Sequence, residues 1–368
     1  MLTAVAPVVP TVSPGHADAI IRPSDSGYAG QWGIVRTRVN EAWSAVRGNS
    51  RVTIAIVDTG VTRLPDFGDR LLPGRDFVNN DDDASDDNGH GTMAAGVAAA
   101  AGNNRLGVAG ICWSCRILPV KVLDAKGAGG YDDFAAGIRY AADRGATIIS
   151  ASFGGNDDSQ MLRDAVDYAT GKGALVIAAA GNKGTTLPHF PAAIPAVLAV
   201  GGVDAAGVRY SWSNYGPSWV DLTAPGCNPA QQRDGSIGQY CGTSSATPFV
   251  AGVAGLLASL PSAPPASLVR AALTRGANKG QVDAAGALTA LGVDLTPPAV
   301  TVYRSGRYVT ARATDASGVA RLELLINGKV TTSFAGYLRQ FLVPTGAGTV
   351  AIRATDRKGN ARVVTAPR

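Results

Sequence analysis

Five apolar runs, each six or seven residues long, constrain this chain more than any other feature. They are VTIAIV (52–57), ILPVKVL (117–123), TIISAS (147–152), ALVIAAA (174–180) and VLAVGG (197–202). Continuous apolar runs of this length, without polar alternation, fit strands buried on both faces. Between them, residues 90–101, 131–145 and 159–173 carry apolar side chains at helical spacing, and the last two stretches close on glycine. Strand–helix–strand alternation predicts an α/β fold in three layers, with a mostly parallel sheet between two layers of helices. In such a sheet the functional groups gather at the carboxyl ends of the strands.

The texture changes after Leu295. TPP at 296–298 opens a segment of short alternating runs, AVTVYRSGRYVTARAT, VARLELLING and TVAIRATD, punctuated by Ser305-Gly306, Asn327-Gly328 and Lys358-Gly359-Asn360. Alternation with a period of two and regular turn signals predict a small all-β immunoglobulin-like sandwich. The expected organisation is a leader over 1–23, an α/β domain over 24–294 and the β module over 295–368. Charge follows the same division. Residues 297–368 hold 11 Lys/Arg against 3 Asp/Glu, a net +8, while the rest holds 22 against 25, a net −3. The overall +5 therefore belongs to the tail, which could hold the chain to an acidic polymer or surface. No aromatic residues interleave with basic strips, so nucleic acid is not an expected partner, and a monomer is expected.

Residues 1–19 are apolar and end in the small-x-small pattern Ala17-Asp18-Ala19, like the later part of a secretory signal that lacks its basic start. A Pro-rich leader without that role is the alternative. After it no run of roughly 18 apolar residues occurs, so no membrane span is expected. The four cysteines form two sets, Cys112 with Cys115 and Cys227 with Cys241, and four cysteines allow three pairings. Only one pair has zinc-ligand spacing and no histidine lies near either set, which disfavours zinc. A redox dithiol at Cys-Trp-Ser-Cys is one reading; two local disulfides in an extracellular protein is the leading one.

Three residue types suited to acyl transfer stand at such strand and helix ends. Asp58 follows the first strand in AIVDTGV, His90 opens a helix in DDNGHGT, and Ser244 opens another in CGTSSATPFVAG. A hydroxyl to attack, an imidazole to take its proton and a carboxylate to orient the imidazole make up the chemistry of a serine hydrolase. The chain has only three histidines, His16 in the leader, His90 and His189, so the base is His90 or His189.

AIVDTGV, NGHGT and GTSSATPFVAG resemble the three signature blocks of the subtilisin-like serine proteases, in the same order, and AAAGN at 178–182 resembles the block that supplies an oxyanion asparagine. SFGG (152–155) and KVLDAKGAGGY (121–131) are similar to the segments that line the substrate cleft. The likeness spans roughly residues 24–292 and is greatest toward the thermitase-like branch. It implies a secreted serine endopeptidase acting on protein or peptide substrates, in which Asp58 orients, His90 is base and then acid, Ser244 attacks and Asn182 donates to the oxyanion. It also implies substrate contacts at Leu123, Gly127, Gly129, Ser152 and Gly154, Lys183 at the rim of the specificity pocket, and His189 near its floor. Two cationic groups there would favour an acidic substrate side chain; the family's broad apolar-aromatic preference is the competing expectation.

The same resemblance implies calcium at one or two sites. One would be built from Asp25, Asp66 and Asn104 with backbone carbonyls near Leu106 and Val108. The other would use Asp76, Asp81 and Asp83 around the acidic stretch NNDDDASDDNG (79–89), since Ca²⁺ favours oxygen clusters of this kind. Ser245 stands where the family usually carries methionine, which implies greater tolerance of peroxide. Met93 and Phe249 stand where relatives often have histidine. An inhibitory propeptide domain, common in the family, does not fit in the residues ahead of the α/β domain, so either the sequence is a piece of a longer one or the chain folds without that helper. A binding protein on an inactive protease scaffold, with the basic module as its working part, is the competing class.

Overall fold

The computed structural model describes residues 20–367. The secretory-signal reading falls on residues 1–19, outside the described residues. The chain divides into two compact units, Ile21–Val293 and the residues from Asp294 onward.

In the first unit, two short helices, α1 (Trp32–Arg36) and α2 (Val39–Ala42), precede a seven-stranded sheet. Its strands are β1 (Thr53–Asp58), β2 (Arg75–Asp76), β3 (Arg116–Lys121), β4 (Ile148–Ala151), β5 (Leu175–Ala179), β6 (Leu198–Val203) and β7 (Leu222–Pro225), in the order β2-β3-β1-β4-β5-β6-β7. Every neighbouring pair is parallel. The chain first builds to one side of β1, through β2 and β3, and then to the other from β4 onward. Crevices form beside such a reversal, at the carboxyl ends of the strands.

The helices are α3 (His90–Ala99), α4 (Tyr131–Asp143), α5 (Gln160–Gly171), α6 (Thr243–Ala258), α7 (Ala266–Arg275) and α8 (Ala284–Ala290). Successive strand residues point to opposite faces. Ala55 and Val57 of β1 pack with Val120, Ile149 and Val176 against Ile138 of α4 and Val166 of α5. Ile54 faces the other way and reaches α6, where a Cβ added at Gly255 would lie 3.0 Å from its Cδ1. Every residue of α6 is buried, which marks it as the central helix of its layer. Between β7 and α6 the chain forms a hairpin, β8 (Cys227–Gln231) and β9 (Ile237–Cys241), in which Cys227 and Cys241 sit opposite each other and are disulfide-bonded. The second disulfide closes the short loop between Cys112 and Cys115.

The second unit holds seven antiparallel strands. These are β10 (Ala299–Ser305), β11 (Tyr308–Thr314), β12 (Val319–Ile326), β13 (Lys329–Ala335), β14 (Leu338–Leu342), β15 (Val350–Asp356) and β16 (Ala361–Thr365). They form sheets ordered β10-β11-β14 and β13-β12-β15-β16, and one apolar core takes Val309, Ala311 and Phe341 from the first and Leu322, Leu324 and Ile352 from the second. The β12–β13 hairpin turns on Asn327 and Gly328, both at positive φ, as a two-residue turn matched to strand twist requires.

Candidate active site

Asp58 ends β1 and is 1 % exposed. Its Oδ1 accepts from the Thr59 N–H and lies 2.7 Å from His90 Nδ1. The imidazole reaches this position because α3 begins directly against the end of β1: a Cβ at Gly91 would run into the Gly60 carbonyl. Asp58 Oδ2 is buried with no hydrogen-bond partner among the described residues. With Nδ1–H donating to the carboxylate, Nε2 is left as an acceptor. Burial disfavours a charged imidazole, but the charge and hydrogen bond of Asp58 and the charge of Asp86 more than offset it, and the His90 pKa is raised above its ordinary value.

Ser244 lies in the first turn of α6. Pro248, the sixth residue of that helix, cannot supply the N–H that would bond the Ser244 carbonyl four residues back. Ser152, just after β4, fills the vacancy: its Oγ donates to the Ser244 carbonyl at 3.0 Å, while Ser244 Oγ donates to the Ser152 carbonyl at 3.3 Å. His90 Nε2 is bonded instead to the hydroxyl of Tyr240, 3.2 Å away. Burial, reinforced by the Asp58 charge, pushes the Tyr240 phenol well above its ordinary pKa, so it stays protonated and donates.

Asn182 follows β5 on a turn made by Gly181 at φ 96°. Its Oδ1 accepts from Thr243 N–H at 2.8 Å and Thr243 Oγ1 at 3.0 Å, which fixes the amide with its Nδ2 beside Gly242, 3.3 Å from where a Cβ would stand at the start of α6. Asn214 braces the same loop: Oδ1 accepts from the N–H groups of Lys183 and Thr185, and Nδ2 donates to Ala180 O.

His90, Asn182 and Ser244 open on one cleft of about 780 Å³. Leu123, Gly127, Gly129, Ser152, Gly154, Lys183 and His189 all line it, and so do Tyr131, Phe134 and Phe153. His189 lies on this wall, away from Asp58, which leaves His90 as the histidine beside the carboxylate.

The two predicted calcium sets differ. Asp25 Oδ2 accepts from Asn103 N–H at 2.6 Å, Asn104 Nδ2 donates to Asp66 Oδ1 at 2.6 Å, and Asp66 Oδ2 is buried and unpartnered among the described residues. Burial pushes the Asp66 pKa up to about 6, and the Asp25 charge adds to the rise. Leu106 and Val108 follow in the same loop. By contrast, Asp76, Asp81 and Asp83 do not converge. Asp76 spends both oxygens on Asn79, Asp81 Oδ1 accepts from Asp83 N–H, and Asp83 Oδ1 accepts from Ser85 N–H. Among the described residues, the one group of three carboxylates close enough to share an ion is Asp294, Asp315 and Asp356, in the β module.

The chain matches the subtilase family over residues 49–293. It belongs to that family. Thermitase from Thermoactinomyces vulgaris is 44% identical over 260 residues, which are 70% of this chain and 92% of thermitase. The thermophilic serine proteinase of Bacillus sp. (strain AK1) is 44% identical over 257 residues, 69% of this chain and 64% of that longer protein. Among solved structures, a protease from Pseudoalteromonas arctica PAMC 21717 superposes with a TM-score of 0.67 at 28% identity, covering 73% of this chain and 99% of that one. This subtilase is a serine endopeptidase by class, and its central parallel sheet is that of the family.

Some supporting residues of the subtilase site escape a reading of motifs. The acidic stretch is in part a scaffold for α3. Asp86 accepts from Thr59 Oγ1, Asn88 N–H, Gly89 N–H, Thr92 N–H and Thr92 Oγ1. Lys121, 1 % exposed at the end of β3, donates to Thr59 O, Leu123 O and Asp87 Oδ1 at 2.7–3.0 Å. A lysine inside an apolar strand run was the available signal, because a buried charge must be paired. Tyr240 carried no such signal; its contact with His90 spans 150 residues.

Proposed function

We propose that the chain is a secreted, calcium-stabilised endopeptidase that cleaves peptide bonds through Asp58, His90 and Ser244 and an acyl-enzyme intermediate. The observation that carries this is the 2.7 Å contact from His90 Nδ1 to a buried Asp58, in one cleft with Ser244 and Asn182. The carboxylate holds the tautomer that leaves Nε2 basic and stabilises the imidazolium that forms. For reaction, His90 Nε2 exchanges the Tyr240 hydroxyl for Ser244 Oγ, which turns away from the Ser152 carbonyl. Ser244 Oγ then attacks the substrate carbonyl as its proton passes to Nε2. The developing oxyanion accepts from Asn182 Nδ2 and from the Ser244 N–H, which in the first helical turn has no intrahelical acceptor. His90 returns the proton to the leaving amine, and water repeats the sequence to release the acyl group.

Among the described residues no helix is long and apolar enough to cross a membrane. Two disulfides and no free cysteine suit an oxidising compartment, which supports secretion.

Calcium fits the Asp25–Asp66–Asn104 segments. The unpartnered Asp66 Oδ2 and the mutual repulsion of two carboxylates are what a hard cation would relieve, and binding would join residues 25, 66 and 104. The Asp76, Asp81 and Asp83 set has weaker support: Asp76 spends both oxygens on Asn79, whereas Asp81 and Asp83 each engage only Oδ1 within the loop.

A fluorophosphonate that labels wild-type enzyme and fails on Ser244→Ala tests the nucleophile. Labelling that persists in that variant, or an unlabelled wild type that cuts no peptide, overturns the reading. Removing calcium with a chelator should lower Tm by about 5–10 °C if the ion is held near 100-fold above its Kd. In Asp66→Asn that sensitivity should shrink, and an unchanged chelator response would remove Asp66 from the site.

A further inference from the structure

We infer that the cleft beside Ser244 selects an acidic side chain, glutamate above all, on the residue whose carbonyl is attacked, with His189 and Lys183 as the selecting groups. This rests on the protease reading above and adds its substrate class.

The charge of the cleft is one-sided. Its lining residues include Lys126, Lys183, His90 and His189, and none is an aspartate or glutamate. His90 is compensated by Asp58, and burial with the nearby Lys183 disfavours a charged His189. The fixed charge of the wall is therefore that of Lys126 and Lys183, which attract anions and repel cations. His189 is the deepest of the groups away from the triad. Its ring lies between Gly154 and Gly181: a Cβ at Gly154 would come within 2.7 Å of Nε2, and one at Gly181 within 3.1 Å of the ring. Two adjacent positions without side chains leave room for this imidazole and little else.

His189 Nδ1 is buried and has no hydrogen-bond partner among the described residues. Buried polar atoms in folded proteins are paired almost without exception, so a turn of the ring that brings this covered nitrogen to the cleft, where a ligand atom completes it, is favoured when such a ligand enters. A leucine or phenylalanine side chain entering here would leave Nδ1 as it is. A carboxylate would accept from it.

Lys183 supplies the second contribution. Its backbone N–H is held by Asn214 Oδ1 at 2.9 Å, so the residue is anchored while its ammonium stands at the exposed rim. That charge is felt at His189: burial and Lys183 together keep the imidazole pKa below its ordinary value. An entering carboxylate lowers the energy of both groups at once. Glutamine, with the same length and no charge, gains only the hydrogen bond.

The chain's own composition separates the two acidic residues. It contains only two glutamates, Glu41 and Glu323, and each is engaged by arginine, Glu41 by Arg38 and Glu323 by Arg353. The remaining 26 acidic residues are aspartates, 28 less 2. An enzyme cutting after glutamate would find almost no site in itself; one cutting after aspartate would find many.

Matched fluorogenic peptides that differ only in that residue, as Glu, Asp, Gln, Leu, Phe or Lys, test the inference on the full chain. Rates are taken per active site, counted by fluorophosphonate labelling. Wild type should cut the Glu peptide with kcat/KM about tenfold or more above Gln and Leu, mainly through KM, and the advantage should shrink as salt rises. Lys183→Gln, an exposed change that tests charge without touching the core, should cut the Glu-to-Gln ratio about threefold. Lys183→Gln with His189→Gln should bring it near one. Wild type that labels normally yet prefers Leu or Phe overturns the acidic preference and leaves the protease reading intact. Wild type that neither labels nor cuts any peptide overturns both. A Glu-to-Gln ratio unmoved in both variants removes these two residues from the selection.

Discussion

The two ends of the cleft are built on opposite plans. At the catalytic end, the groups that do chemistry are aimed by buried partners. Asp58 and Thr59 hold His90 and Gly91, Asp86 holds the start of α3, and Thr243 aims Asn182. At the specificity end, His189 Nδ1 is unpaired among the described residues and Lys183 stands free at the rim. The contrast follows from what each end must meet. The reacting atoms are the same in every peptide bond, so most of their partners can be set in place before substrate arrives, the exchange of Tyr240 for Ser244 at His90 excepted, and preorganisation of that kind lowers the barrier. A substrate side chain differs from one peptide to the next. The end that discriminates among them carries polar groups that only one kind of ligand completes.

Substitutions at the catalytic end should therefore cost turnover, whereas those at the other end should redistribute it. Asp58→Asn carries the largest loss, about 10⁴ in kcat, because the amide favours the wrong tautomer. Its pH profile sharpens the test. A base must be neutral, so kcat/KM of the wild type should fall on the acid side at a pKa above the ordinary 6.5, where the Asp58 and Asp86 charges hold His90. In Asp58→Asn the residual activity should keep an acid limb moved to lower pH; a limb that stays in place would mean that another group sets it. Asn182→Ala comes next. Loss of the oxyanion asparagine from a subtilisin costs about 10²–10³ in kcat, and the same order is expected here with KM little changed. A change confined to KM would place Asn182 at the discriminating end instead. Tyr240→Phe is the smallest and has the opposite sign. Freed of the phenol, Nε2 should reach Ser244 more often, and fluorophosphonate labelling should quicken about two- to tenfold, from the ~0.5–1.5 kcal/mol of one hydrogen bond. Slower labelling would show that the phenol positions His90 rather than competes for it.

The same contrast separates what was legible in the sequence from what was not. The five apolar runs appear as β1, β3, β4, β5 and β6, and the helical stretches as α3, α4 and α5, because strands buried on both faces and amphipathic helices write their periods directly into the chain. β7 and the β8–β9 hairpin were not legible. Pro225 ends the first, and CNPAQ reads as a loop, since Pro229 and polar residues carry no strand period. Asp58, His90, Ser244 and Asn182 stood out because each opens or closes an element within a short, specific motif. Their supports did not. Asp86 lay inside an acidic stretch that suggested a cation, and only the fold shows its carboxylate receiving Thr59 and Thr92. Tyr240 reaches the site across 150 residues, and Ser152, expected along the cleft, bonds the Ser244 carbonyl across 92, distances over which sequence pattern carries no information about contact.

One proline has a consequence for how this enzyme can move. Pro248 leaves a carbonyl over, Ser152 takes it, and Ser244 returns a bond of its own, so a strand end and a helix start are stitched at two points. The wall along which a substrate lies and the turn that delivers the attacking oxygen form a single rigid mount. The backbone that carries the nucleophile thus stays tied to the wall through the Ser152 bond even when the Ser244 hydroxyl leaves the Ser152 carbonyl for His90.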